Sequence, residues 1–130
     1  MITNLKSAVK HVCRTLKQIP IAPVRPINDG KYTIVPLKEK KIMVAFKRKP
    51  FLTYGRGKEG TGFGDSINKV NVLNCDLKGI KDIYIVYTDE KIYHITTTEI
   101  LNNCEERTTL AEGKETCSFD MKLLGRVINE

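Results

Sequence analysis

Residues 41–48, KIMVAFKR, constrain this chain more than any other segment. Along an extended strand successive side chains point to opposite faces, so Ile42, Val44 and Phe46 share one face and Met43, Ala45 and Lys47 the other. Both faces are apolar until the strand's end. A strand of that kind belongs in the middle of its sheet. Lys31–Leu37 reads as its hairpin partner, joined through Lys38-Glu39-Lys40. Further upstream, Ile21–Ile27 holds Pro23 and Pro26 and follows Pro20. That suits an extended connection or a sheet-edge strand. Asn28-Asp29-Gly30 is a turn signal.

The remaining elements follow from periodicity and punctuation. Leu5, Val9, Val12, Cys13, Leu16 and Ile19 fall at helical spacing and predict an amphipathic helix over 4–19, capped by Thr3 or Asn4 and ended by Pro20. Asp65 or Ser66 is the expected cap of a second helix reaching about Leu77. Its inward residues would be Ile67, Val70, Leu73 (or Val72) and Leu77, with Gly79 closing it. Asp82–Thr88 reads as a buried strand, Asp89-Glu90 as a turn and Lys91–Thr97 as the returning strand. Thr98 would cap a short helix holding Ile100 and Leu101. A polar stretch follows, with a turn at Glu112-Gly113-Lys114 and a short strand over Thr116–Phe119. Asp120 would cap a last helix carrying Leu123, Leu124, Val127 and Ile128. The order α-β-β-β-α-β-β-α describes a small α/β or α+β protein, a mixed β-sheet flanked by helices. At 130 residues the chain is expected to be a single domain, 1–130.

No apolar run approaches the length of a membrane span, and no apolar stretch follows the basic N-terminal residues as in a secretory signal. No membrane partner is expected, and the cytoplasm is the default location. Cys13, Cys75, Cys104 and Cys117 form no CxxC pair and no finger-like spacing with His11 or His94. They are expected as buried thiols, a Cys104–Cys117 disulfide or a metal site being the alternatives. Lys and Ile are abundant and Gln18 is the only glutamine, a bias also seen in thermophiles.

Charge is where the chain speaks about partners. Residues 1–58 hold fourteen Lys and Arg against Asp29 and Glu39, a net of +12, while 59–130 hold eight against thirteen acids, a net of −5. A strongly basic half points to a polyanion, nucleic acid being the commonest. Lys6, Lys10, Arg14 and Lys17 fall on the polar side of the first helix with no acid among them, whereas a solvated helix commonly pairs Glu with Lys. Lys47, Arg48 and Lys49 cluster at a strand end, and Arg56 and Lys58 carry the charge into the next segment. Phe51, Tyr54 and Phe63 interleave with these cations. Cations neutralise phosphates and aromatics stack on bases. Acids of the second half, such as Asp89-Glu90 and Glu105-Glu106, read as solubilising surface, or as partners for another subunit's basic half in a homo-oligomer.

Residues 49–64, KPFLTYGRGKEGTGFG, read as a mobile glycine-rich loop, a flap over a bound polyanion. Gly55-Arg56-Gly57-Lys58-Glu59-Gly60 matches GxGxxG, but the strand does not lead tightly into the glycines nor the glycines into a helix, so no dinucleotide site is expected. Thr61 after Gly60 also breaks the phosphate-loop pattern. His11 and His94 lack ligand-spaced partners and are expected to be structural or solvated.

The order of helix, hairpin, helix and strand pair over about residues 4–101 resembles the PD-(D/E)XK nuclease-like superfamily, which includes archaeal Holliday-junction resolvases. In that family one strand ends in Glu/Asp-x-Lys, and two carboxylates hold Mg²⁺, which activates water. Lys47 matches the lysine. Ala45 stands where the carboxylate would be. The resemblance implies Lys47 and Asp29 as catalytic residues, with Glu59 or Asp65 as displaced carboxylates and Mg²⁺ as cofactor, if the chain is a nuclease. Otherwise no cofactor is expected. The leading expectation is a nucleic-acid-binding protein, DNA first, that contacts phosphates through its basic half. The alternatives are a Mg²⁺-dependent nuclease and a non-enzymatic assembly module.

Overall fold

The computed structural model describes residues 2–27, 32–47, 64–103, 105–109, 114–120 and 125–129; the stretches 25–27, 64–71, 105–109 and 114–120 are described as backbone. The chain runs α1 (Leu5–Leu16), β1 (Arg25–Ile27), β2 (Tyr32–Pro36), β3 (Lys41–Lys47), β4 (Gly64–Asn68), α2 (Lys69–Leu77), β5 (Asp82–Tyr87), β6 (Ile92–Thr96), α3 (Thr97–Asn102), β7 (Glu105–Thr109), β8 (Lys114–Asp120) and β9 (Arg126–Val127). The main sheet has six strands in the order β1-β2-β3-β5-β6-β9. Among the described strands of this sheet only β3 and β5 are parallel; the other neighbours are antiparallel. A parallel neighbour needs a crossover, and here it passes through β4 and α2. Strands β4, β8 and β7 form a separate three-stranded antiparallel sheet beside α2 and α3. The class is α+β, with a mixed sheet between helical layers.

The position of β3 is what its two apolar faces require. Ile42 and Val44 pack with Ala8, Val9, Val12 and Cys13 of α1. Met43 and Ala45 pack on the opposite side with Val72 and Cys75 of α2 and Ile100 of α3. The neighbouring β5 divides in the same way, with Tyr84 and Val86 toward α1 and Ile83, Ile85 and Tyr87 toward α2 and α3. Each fully enclosed isoleucine contributes about 1.5–3 kcal/mol by leaving water. Two thiols share in this core: Cys13 and Cys75 are buried and unpaired, and Cys75 Sγ lies 3.4 Å from Met43 Sδ. Burial raises both thiol pKa values, because it penalises the thiolate.

Several expectations need correction. The first helix stops at Leu16, not residue 19. Lys17 turns left-handed, and the residue before Pro20 is biased away from helix. Ile19 therefore leaves the apolar face and stands exposed. Residues 64–68 form β4 rather than the first turn of a helix, with Asp65 opposite Phe119 and Ile67 opposite Cys117. Here long-range pairing overrides the local cap signal of Asp65 and Ser66. On α2 Val72, the alternative to Leu73, is buried together with Cys75, while Leu73 and Leu77 are exposed; the side chain of Val70 lies outside those described. Thr96, not Thr98, caps α3, in a reciprocal box with Glu99. No last helix spans Val127: it lies in β9 opposite Tyr93, and Ile128 N–H donates to Ile92 O. Val127 and Ile128 are β-branched, and such side chains lose rotamer freedom in a helix and fit a pleated sheet better. Strand β7 occupies the stretch read as merely polar. Leu123 and Leu124, the turn residues Asn28 to Gly30 and the bulk of the glycine-rich segment lie outside the described residues.

Candidate nucleic-acid interface

The site is built on α1. Asn4 starts the helix by accepting a 2.8 Å hydrogen bond from Ser7 N–H, and Ser7 Oγ accepts in return from Asn4 N–H at 3.2 Å. This capping box satisfies amides that the helix itself leaves unpaired. No acid lies in the first turn, although the helix dipole would favour one. Ala8, Val9, Val12 and Cys13 are buried. Lys6, Lys10, Arg14 and Lys17 are all exposed. At 100° per residue the four cations fall within an arc of about 80°, and they span about 16 Å at 1.5 Å rise per residue. Among the described residues none of the four makes an ion pair. The stripe is an unneutralised cationic face held outward by a helix whose other side is anchored in the core.

His11 is half-buried at the flank of α1, in the structural one of the two roles expected of it. Its Nε2–H donates to Glu90 O at 2.8 Å, and Asn129 Nδ2 donates to the same carbonyl at 2.7 Å. Asn129 Oδ1 accepts from Ile92 N–H at 2.8 Å. His11 and Asn129 together therefore tie α1 to the β5–β6 turn. This fixes how the cationic face sits relative to the sheet.

Lys47 is placed elsewhere. It ends β3 on the side of Met43 and Ala45, and its Nζ lies 6.0 Å from the centroid of the Tyr32 ring. Tyr32 belongs to the core on the α2 side. Lys47 and the α1 stripe thus lie on opposite faces of the sheet. Ala45 is fully buried. Asp29, Arg48, Lys49, Phe51, Tyr54, Arg56, Lys58 and Glu59 lie outside the described residues.

Sequence reasoning did not anticipate a second polar cluster. Asp82 opens β5 and accepts from both Lys40 Nζ, at 2.9 Å, and His94 Nε2, at 2.6 Å. The His94 ring stacks on Tyr84, with centroids 4.8 Å apart. Burial pushes the Asp82 carboxyl pKa up, but the hydrogen bonds from Lys40 and His94 outweigh it, so the pKa lies below the ordinary carboxylate range. The register decides it: a three-residue connection, Thr88-Asp89-Glu90, with Glu90 N–H bonded to Tyr87 O and Tyr87 N–H to Lys91 O, puts His94 opposite Tyr84, near Asp82. Ile83 pairs with Met43 near the start of β3, so Asp82 and Lys47 are separated by roughly 16 Å along the strands. The cluster ties β6 and β5 to the β2–β3 turn. Among the described residues, no group of three His, Cys, Asp or Glu is arranged to hold a metal ion, and no helix is long and apolar enough to cross a membrane.

No family model, curated protein or solved structure matches this chain.

Proposed function

We propose that the protein binds nucleic acid, DNA in the first instance, through the outer face of α1. One observation carries this reading: Lys6, Lys10, Arg14 and Lys17 are exposed together with no ion pair among the described residues. Four phosphates neutralised by such a stripe release their counterions, so binding weakens steeply with salt. The test is fluorescence anisotropy on labelled duplex and single-stranded oligonucleotides between about 50 and 200 mM salt. The expected log–log slope is about −3.6 for duplex and about −2.8 for a single strand. A flat salt dependence, or no binding at the lowest salt, would sink the proposal. So would unchanged affinity in a Lys6→Glu, Lys10→Glu variant.

A Mg²⁺-dependent nuclease is the second reading. It draws on the position of Lys47 at the carboxyl end of the parallel pair β3–β5, beside Tyr87. Ligands of open sheets commonly sit at that end of parallel strands. Plasmid nicking with Mg²⁺ or Mn²⁺ tests it. Activity that survives Lys47→Ala would remove Lys47 from the chemistry.

A further inference from the structure

We propose that Ile19 and Ile21 form an apolar wedge that enters the minor groove of duplex DNA and partly unstacks one base step. This inference rests on reading α1 as the nucleic-acid face. Ile19 is 83% exposed and Ile21 65% exposed, an unusual condition for isoleucine in a well-packed protein. They directly follow the cationic helix.

The segment that carries them is held in place. Lys17 is left-handed, and Gln18 N–H donates to Cys13 O at 3.0 Å, which closes the helix and sets the exit direction. Pro20 and Pro23 fix their own φ angles. Ile21 N–H donates to Pro36 O at 2.9 Å, pinning the segment to the end of the β2–β3 hairpin. Little conformational freedom is left for binding to remove, which favours a preformed contact.

The surroundings fit a polyanion. Lys17 lies two residues before Ile19. Lys38 and Lys41 are exposed at the hairpin end to which Ile21 is bonded, and Pro36 itself pairs with Lys41. Glu39 is the one acid of that turn, and Lys40 is occupied by Asp82. An apolar tip between cations matches what minor-groove proteins use: Ile, Leu or Pro pushed into a step while Lys and Arg hold the phosphates. A lipid surface suits the arrangement less well. Helices that lie in a bilayer interface offer it their whole apolar face, and the apolar face of α1 is spent in the core.

The experiment uses a duplex of about 25 base pairs with a central TA step, a readily kinked step, and a dye at each end. Wild-type protein is expected to shorten the end-to-end distance by energy transfer, with a bend of about 20–90°. The Ile19→Ser, Ile21→Ser variant is expected to bind within about tenfold of wild type with the same salt slope, because the phosphate contacts remain, and to leave the duplex straight. Both positions are exposed, so circular dichroism should show the variant folded. Wild-type binding to an unbent duplex, or equal bending by the variant, would overturn the wedge while leaving the α1 reading intact. Absence of duplex binding by either protein would overturn the wedge, and absence of single-strand binding as well would overturn the α1 reading. Sedimentation with phosphatidylserine vesicles in preference to duplex, lost in the variant, would assign the isoleucines to a membrane and overturn the wedge.

Discussion

Lys17 offers a test in which stability and function should move in opposite directions. Its backbone sits at φ 57° and ψ 41°, the left-handed region that ends α1. An L side chain there costs roughly 1–2 kcal/mol, which glycine avoids. The extra freedom of glycine in the unfolded chain returns about 0.5–1 kcal/mol of that advantage. Lys17→Gly should therefore stabilise the fold by about 0.5–1 kcal/mol, or about 2–4 °C in Tm for a chain of this size. The same substitution deletes one cation of the stripe. One phosphate contact fewer should flatten the duplex salt slope from about −3.6 to about −2.7 and weaken binding about eightfold near 0.1 M salt. Thermal unfolding and anisotropy on the same preparation read both effects. Lys17→Asn is the companion variant, since asparagine also tolerates this conformation. A destabilised Lys17→Gly protein would refute the backbone argument. A stabilised one with unchanged affinity and slope would refute the phosphate contact.

Among the described residues Thr33 Oγ1, which is buried, has no hydrogen-bond partner, so Thr33→Val should raise stability by about 1–2 kcal/mol and the urea midpoint with it, at constant m; an unchanged or lowered midpoint would mean that the hydroxyl is satisfied in solution. Asp82→Asn removes the charge that Lys40 and His94 share, and should cost about 1–3 kcal/mol near pH 7. Because the folded Asp82 pKa is depressed, its contribution is fully present above the unfolded value of about 3.9 and is lost as pH falls through the folded one. The stability gap between wild type and Asp82→Asn should thus shrink below about pH 4, and a gap that stays constant in acid would count against the ion pair.

The parts of the fold that were legible in the sequence are those where one short segment settles its own environment. KIMVAFK is apolar on both faces, and β3 is central and enclosed on both sides. Pro23 and Pro26 mark an edge, and β1 is an edge strand. Asn4 and Gly79 punctuate α1 and α2 as their side chains, or the lack of one, suggest. What was not legible depends on partners distant in sequence. Asp65 and Ser66 look like a helix start, and only pairing with β8 makes them strand. On α2, Leu73 with Leu77 and Val72 with Cys75 are equally good helical stripes, so the choice belongs to the sheet beneath. The cations of α1 were legible because a helix wheel needs no partner. Asp82 and His94 were not, because their meeting needs the exact register of a hairpin.

The basic half of the chain is one feature in composition and two in space. The α1 stripe faces away from one side of the sheet, and Lys47 belongs to the other. A duplex lying along α1 cannot at the same time present a phosphate to Lys47 without wrapping around the sheet's end. Binding on α1 and cutting at Lys47 are therefore competing accounts of where the nucleic acid lies, not successive steps of one. The surroundings of Lys47 weigh on the choice. The residue two before it is Ala45, enclosed with Met43, Val72 and Cys75 in an apolar cluster. A carboxylate at that position would lose its hydration with nothing described beside it to compensate, at a cost of several kcal/mol. The one described carboxylate that meets both a lysine and a histidine, Asp82, is at the far end of the parallel strands and already committed to both. On α1, by contrast, four cations face solvent with no such commitment, and that is the physical reason for placing a polyanion there.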